Sequence, residues 1–133
     1  DQDLSYPFPS ICKRILNNLS SKTIQVWGTG DQMRDFIHIE DCIKGVISTM
    51  DKIDDGSAIN LSTGKLTSFK EFVQIGCSIL GFETEVVGTS DKPEGVYARG
   101  GDTKLQNDLG FFANIDFKKG IEEALKFFDK TNN

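Results

Sequence analysis

Three basic side chains, Arg34, Lys92 and Arg99, are the residues through which this sequence could recognise an anion. Arg34 stands between a glycine turn, Gly28-Thr29-Gly30, and the apolar run Phe36-Ile37-His38-Ile39, so structure on both sides fixes its position. A guanidinium held that way suits a phosphate, because its planar fork matches paired oxygens by geometry as well as by charge. Lys92 opens Lys92-Pro93-Glu94-Gly95, and Arg99 follows in the same stretch. Each has a plainer reading too. Arg34 could close a local salt bridge, worth roughly 0 to 1 kcal/mol if exposed, and Lys92 and Arg99 could be solvated loop cations. Trp27, the only tryptophan, either packs into the core or at a strand edge, or borders a base by stacking.

Other chemistries are excluded by spacing. Gly28-Thr29-Gly30 has Met33 where a dinucleotide fingerprint needs its third glycine. Ser62-Thr63-Gly64-Lys65 is not a phosphate loop, since Ile59 occupies the first glycine position and Leu66 the magnesium-binding Ser/Thr position. Neither tyrosine is followed by a lysine at the proton-transfer spacing, because Tyr6 meets Ser10 and Tyr97 meets Gly101. The lone histidine, His38, reads as a structural residue in an alternating segment, and Asp102 as a helix cap. No catalytic residue is expected. Cys12, Cys42 and Cys77 are far apart and outside any C-x-x-C pair, so no metal site or disulfide framework is expected either.

The elements that must hold these residues follow from periodicity. From Ser10, Ile11, Ile15, Leu16 and Leu19 share a helical face while Lys13, Arg14, Asn17 and Asn18 look outward. Ile24 to Trp27 alternates as a strand, and Asp35 to Ile39 reads as a second strand beyond the glycine turn. Ile39, Ile43, Val46, Ile47 and Met50 mark a helix with Glu40 and Asp41 in its first turn, where the helix dipole favours negative charge. Ala58 to Leu61 reads as a short strand. Ser68 and Glu71 have capping-box spacing ahead of Phe69, Phe72, Val73, Gly76, Ile79 and Leu80, a helix that Gly81 ends. Glu85 to Val87 is a further strand, Asp91 to Gly101 a loop, and Asp102 to Gly110 a short helix. Ile121, Ala124, Leu125 and Phe128 define a last helix from about Phe117. The class is mixed α/β, α+β in detail, with short strands interleaved among about five helices.

One domain over residues 1–133 is the expectation for 133 residues, a length that can bury a core unaided. A net charge of −5 argues against nucleic-acid or anionic-membrane partners. No apolar run approaches the roughly 18 residues of a membrane span, and no secretory signal is visible. A reduced, cytoplasmic setting is expected. The chain opens at Asp1 without an initiator methionine, which leads us to expect a processed or truncated piece.

Several segments in order resemble the C-terminal half of the extended short-chain dehydrogenase/reductases, the NAD-dependent nucleotide-sugar epimerases, dehydratases and reductases. Val26-Trp27-Gly28-Thr29-Gly30 and Arg34-Asp35-Phe36-Ile37-His38-Ile39-Glu40-Asp41 are similar to the family's V-W-G-x-G and R-D-F-I-H-V-D-D. Pro9 to Arg14 resembles its pocket helix, with Phe8 where histidine is common. Asn60-Leu61-Ser62-Thr63-Gly64 followed by Ser68 to Glu71, then Lys92-Pro93-Glu94-Gly95, Asp102-Thr103-Lys104-Leu105 and Leu109-Gly110, complete the series. Phe111 stands in place of the usual tryptophan. The lysine before Pro93 resembles the branch of GDP-fucose synthase and GDP-mannose 3,5-epimerase.

The resemblance implies that Arg34 and Lys92 clamp the pyrophosphate of a GDP- or UDP-sugar, that Trp27 borders the base, and that Arg99 lies near a further basic position. It implies NAD or NADP in the intact enzyme, bound by an N-terminal Rossmann half that this chain lacks together with the catalytic Tyr and Lys. The chain would then be the substrate-binding portion of such an enzyme, inactive alone. Two readings compete: a non-catalytic protein-interaction module retaining the fold, and a stand-alone nucleotide-sugar sensor. Homo-oligomerisation, the sugar, the base and the choice of NAD or NADP stay open.

Overall fold

The computed structural model describes residues 6–89 and 95–131. In chain order its elements are α1 Pro7–Asn17, β1 Thr23–Trp27, β2 Met33–Arg34, α2 Ile39–Thr49, β3 Thr67–Ser68, α3 Phe69–Ile79, β4 Glu85–Thr89, β5 Ala98–Arg99, α4 Lys104–Asp108 and α5 Phe117–Thr131. The five helices and short strands make an α/β fold. α1 begins ahead of the Ser10 pattern, because Pro7 lacks an N–H that a first turn would leave unpaired and already has a helical φ.

Helices α1, α3 and α5 pack on one another and bury Ile11, Ile15, Phe72, Val73, Ile121 and Leu125. Gly76 allows the close approach of α3 to α1, since a Cβ there would lie 2.5 Å from Ile15 Cδ1. Four phenylalanines knit the far end of this core. Phe36 stacks on Phe117 with ring centroids 4.9 Å apart, and Phe8 and Phe72 close the group at 5.0 Å from each other. Phe36 is thereby pinned two residues beyond Arg34.

Two small sheets flank the helices. β1 alternates as its sequence requires, with Ile24 and Val26 buried against α1 and α3, and pairs in parallel with β4 in the register Ile24↔Val86. The backbones converge where β1 ends. A Cβ on Gly88 would stand 2.4 Å from Gly28 O, so no side chain fits at that position. The second sheet has the order β3-β2-β5, with β2 antiparallel to β3 and parallel to β5.

Helix α2 is capped by His38, whose Nδ1 accepts from Glu40 N at 3.2 Å. It docks by its small and polar side: Asp41, Gly45 and Thr49 are buried, and Asp41 Oδ2 accepts from Asn114 N and Ile115 N. Its apolar stripe faces outward, with Ile39, Ile43, Val46, Ile47 and Met50 between 52% and 65% exposed.

Three expectations change. The strand expected at Asp35 to Ile39 pairs instead at Met33–Arg34, because Phe36 turns into the aromatic core and His38 caps α2. Ala58 to Leu61 forms no ladder among the described residues: its alternation asks for a neighbouring strand that they do not supply. The loop expected at Asp91 to Gly101 contains β5, which Met33 N and Asp35 N tie to β2 through Tyr97 O and Arg99 O. Ser68 caps α3 as its spacing predicts, donated to by Glu71 N at 3.1 Å, and Gly81 follows the helix with φ 81°.

Candidate anion-binding site

Arg34 lies on the central strand of the three-stranded sheet, and Arg99 on the next strand is its direct partner in register. Parallel partners project to the same side of a sheet, so two guanidinium groups share one surface. Arg34 Nη1 donates to Met33 O at 2.7 Å and to Val96 O at 2.9 Å, and the guanidinium carbon lies 5.6 Å from the centre of the Phe69 ring. These contacts fix the group without neutralising it. Among the described residues no acceptor meets its Nε and Nη2 hydrogens. Burial first, and the like charge of Arg99 second, lower the pKa of Arg34 from its ordinary value.

Neither arginine forms an ion pair among the described residues, although aspartate and glutamate outnumber lysine and arginine in the chain by 20 to 15. The plainer reading of Arg34 as half of a salt bridge finds no partner there. A cross-strand pair of like charges is destabilising unless an anion lies between them. Asn60, Ser62, Gly100 and Gly101 line the concavity of about 340 Å³ that both arginines face.

A second cavity, about 180 Å³, is lined by Ser10, Ile11, Arg14, Val26, Trp27 and Phe69, the ring over which Arg34 lies. Trp27 is half-buried here, so it belongs partly to the packing and partly to a wall. Arg14 lies over its ring at 5.9 Å and donates from Nη1 to Gln25 O at 2.7 Å. The helical period set Arg14 among the outward residues of α1; only the return of β1 beside that helix turns it into the lining of a cavity. The structure therefore brings together Arg34, Arg99 and, through Phe69, Trp27. Lys92 lies outside the described residues.

The other candidate groups take structural places. His38 Nδ1 is an acceptor, so the hydrogen is on Nε2, which donates to Glu123 Oε2 at 3.1 Å and joins the start of α2 to α5. Asp102 Oδ1 accepts from Lys104 N at 2.9 Å at the start of α4. Burial pushes the Cys12 thiol up to about 12 and that of Cys77 up to about 11, away from nucleophilic use. No metal-ligand group occurs among the described residues. Gly28 and Gly30 have φ of 65° and 79°, but their turn leads into β2 and not into a helix, so it makes no cradle for a dinucleotide. An apolar cavity of about 590 Å³, walled by Phe8, Phe36, Phe117, Phe127 and Phe128, runs up to Ile39 on the outward face of α2. No helix of the described residues is long and apolar enough to cross a membrane.

Comparison with known proteins relates the chain to one family. The model of the NAD dependent epimerase/dehydratase family matches residues 7–62. The chain is 27% identical over 126 residues to a probable GDP-L-fucose synthase 1 of Oryza sativa subsp. japonica, covering 93% of this chain and 38% of that protein. It thus spans about two fifths of that relative. Among solved structures, a GDP-6-OMe-4-keto-L-xylo-heptose reductase from Campylobacter jejuni is 33% identical, with a TM-score of 0.70 over 91% of this chain and 38% of the other. UDP-glucose 4-epimerase from Bifidobacterium longum, in complex with NAD+ and UDP, is 25% identical with a TM-score of 0.75, over 96% of this chain and 40% of the other.

Proposed function

The chain belongs to the NAD dependent epimerase/dehydratase family, and from that premise we propose that it is the nucleotide-sugar-binding portion of such an enzyme, holding the diphosphate of a GDP- or UDP-sugar between Arg34 and Arg99. The observation that carries this reading is the in-register pair of arginines with no carboxylate partner among the described residues. Lys92, outside the described residues, is added as a phosphate contact on the sequence resemblance alone. The base lies against Trp27 and Arg14 in the cavity beyond Phe69, and the sugar extends away towards the groups that react. The role of these residues is positioning, which removes translational and rotational freedom from the reacting pair.

NAD or NADP binds outside these residues, whose glycine turn does not fit it, and catalytic proton transfer also belongs to the remaining half. The docked side of α2 meets the 58–61 segment, where a Cβ on Gly45 would stand 2.8 Å from Leu61 Cδ2, and the apolar stripe of the helix faces the other way. That exposed stripe is the surface that the cofactor half covers.

Two charge-assisted contacts contribute roughly 3 to 6 kcal/mol, short of the ~8 needed for micromolar affinity. Calorimetry of the chain with GDP-mannose and UDP-glucose is therefore expected to give affinities near millimolar, with Arg34→Ala weaker by about tenfold or more. Sub-micromolar affinity would mean that the pocket is complete without a second half. Binding indifferent to Arg34→Ala would remove the site from this surface.

A further inference from the structure

The residue after Arg34 holds the arginine pair in place by a route that its charge alone would not suggest. Asp35 is a carboxylate one position from a cation and beside a second. In such a place it should pair with an arginine and spoil an anion site. It does not, because its oxygens are already occupied. Oδ2 accepts from Ser62 Oγ at 2.6 Å and Gly64 N at 2.8 Å, and Oδ1 from Thr63 Oγ1 at 2.7 Å and Thr63 N at 3.1 Å. A carboxylate offers about four lone-pair sites, and neutral donors fill them.

The same loop then fixes β5. Ser62 Oγ accepts from Gly101 N at 3.2 Å, while Asp35 N donates to Arg99 O at 3.1 Å. The backbone is thus latched on both sides of Gly100. Ser62 is itself held by Gln106, whose buried amide donates to Ser62 O and accepts from Ser62 N, both at 2.8 Å. Two-residue strands such as β2 and β5 have too few ladder bonds to keep a long, exposed side chain such as Arg99 in register unaided.

We propose that Asp35 is a positioning residue: by drawing the 62–64 loop onto itself it fixes Arg34 and Arg99 relative to one another for two linked phosphates, and its oxygens stay saturated by N–H and O–H donors so that both cations remain available. This rests on the diphosphate reading above. A simple charge argument gives the opposite sign, since removing a carboxylate beside two arginines should tighten anion binding.

The test is an NMR titration of the full chain with GDP, GMP and inorganic pyrophosphate at fixed low ionic strength. Asp35→Asn turns an acceptor into an NH2 group that faces the same donors. It is expected to weaken GDP binding at least about fivefold and to bring the preference for GDP over GMP close to unity, and Ser62→Ala to do so more weakly. A merely structural role would weaken both ligands together and leave their ratio unchanged. A folded Asp35→Asn chain that binds GDP equally well or more tightly, with the wild-type ratio, overturns the proposal. If that variant does not fold, Ser62→Ala decides: a reduced ratio supports the proposal and an unchanged ratio overturns it. A wild-type chain that binds neither GDP nor pyrophosphate overturns the diphosphate reading and this inference with it. Wild-type binding with an unaltered ratio in the variants overturns this inference alone.

Discussion

Helices α2 and α3 are each 11 residues long and each carries an apolar stripe, but they sit in opposite ways. α3 turns Phe69, Phe72, Val73 and Cys77 into the core, where Phe72 and Val73 are fully buried. α2 turns its stripe outward and docks through Asp41, Gly45 and Thr49. An amphipathic pattern states that a face needs a cover; it does not say that the cover lies in the same stretch of chain. The core of α1, α3 and α5 is built from its own helices, whereas the stripe of α2 has no cover among the described residues.

That contrast is open to substitution. Phe72→Ala removes a ring touching three other phenylalanines and is expected to cost about 3–5 kcal/mol, enough to unfold the chain or nearly so. Ile43→Ala on α2, at a position more than half exposed, is expected to stay within about 0.5 kcal/mol when both variants are unfolded in urea. Equal losses at the two positions would break the comparison. Gly88→Ala places a methyl against Gly28 O and is expected to cost about 1–3 kcal/mol, because backbone must move to admit it. His38→Ala removes both the cap of α2 and its tie to Glu123, and thermal unfolding should register about 1 kcal/mol.

The smallest effects are chemical. With their thiols raised by burial, Cys12 and Cys77 stay protonated at pH 8, and native alkylation read by peptide mass spectrometry should reach the half-buried Cys42 first. The sign of the linkage is also fixed. Cys12 holds its proton to about 12 when folded against an ordinary 9.0, so its contribution is whole below pH 9 and is lost as pH rises from there towards 12. Early modification of Cys12 would mean that the helical core is open.

Much of this was legible in the residues. Helices α1, α2, α3 and α5 announced themselves by period, α3 also by its capping box and α4 by Asp102 and Gly110, and Arg34 stood out because a turn and an apolar run confine it. Strand partners were less legible, since alternation at Ala58 to Leu61 describes an extended segment with two faces whether or not a neighbour is present. Arg14 looked like an outward helix residue, and its place over Trp27 depends on a strand that returns from elsewhere. The Asp35 latch needs the 62–64 loop and Gly101 in one place, a tertiary meeting that no local spacing encodes. Arg99 gained its importance from a two-residue strand inside what read as a loop.

The central claim is that two arginines in register hold a diphosphate. A crystal structure of the chain soaked with GDP or UDP tests it most directly. Both phosphates are expected between the guanidinium groups of Arg34 and Arg99, with the base in the cavity walled by Trp27. A nucleotide bound elsewhere, with both guanidinium groups facing bulk water, would contradict it.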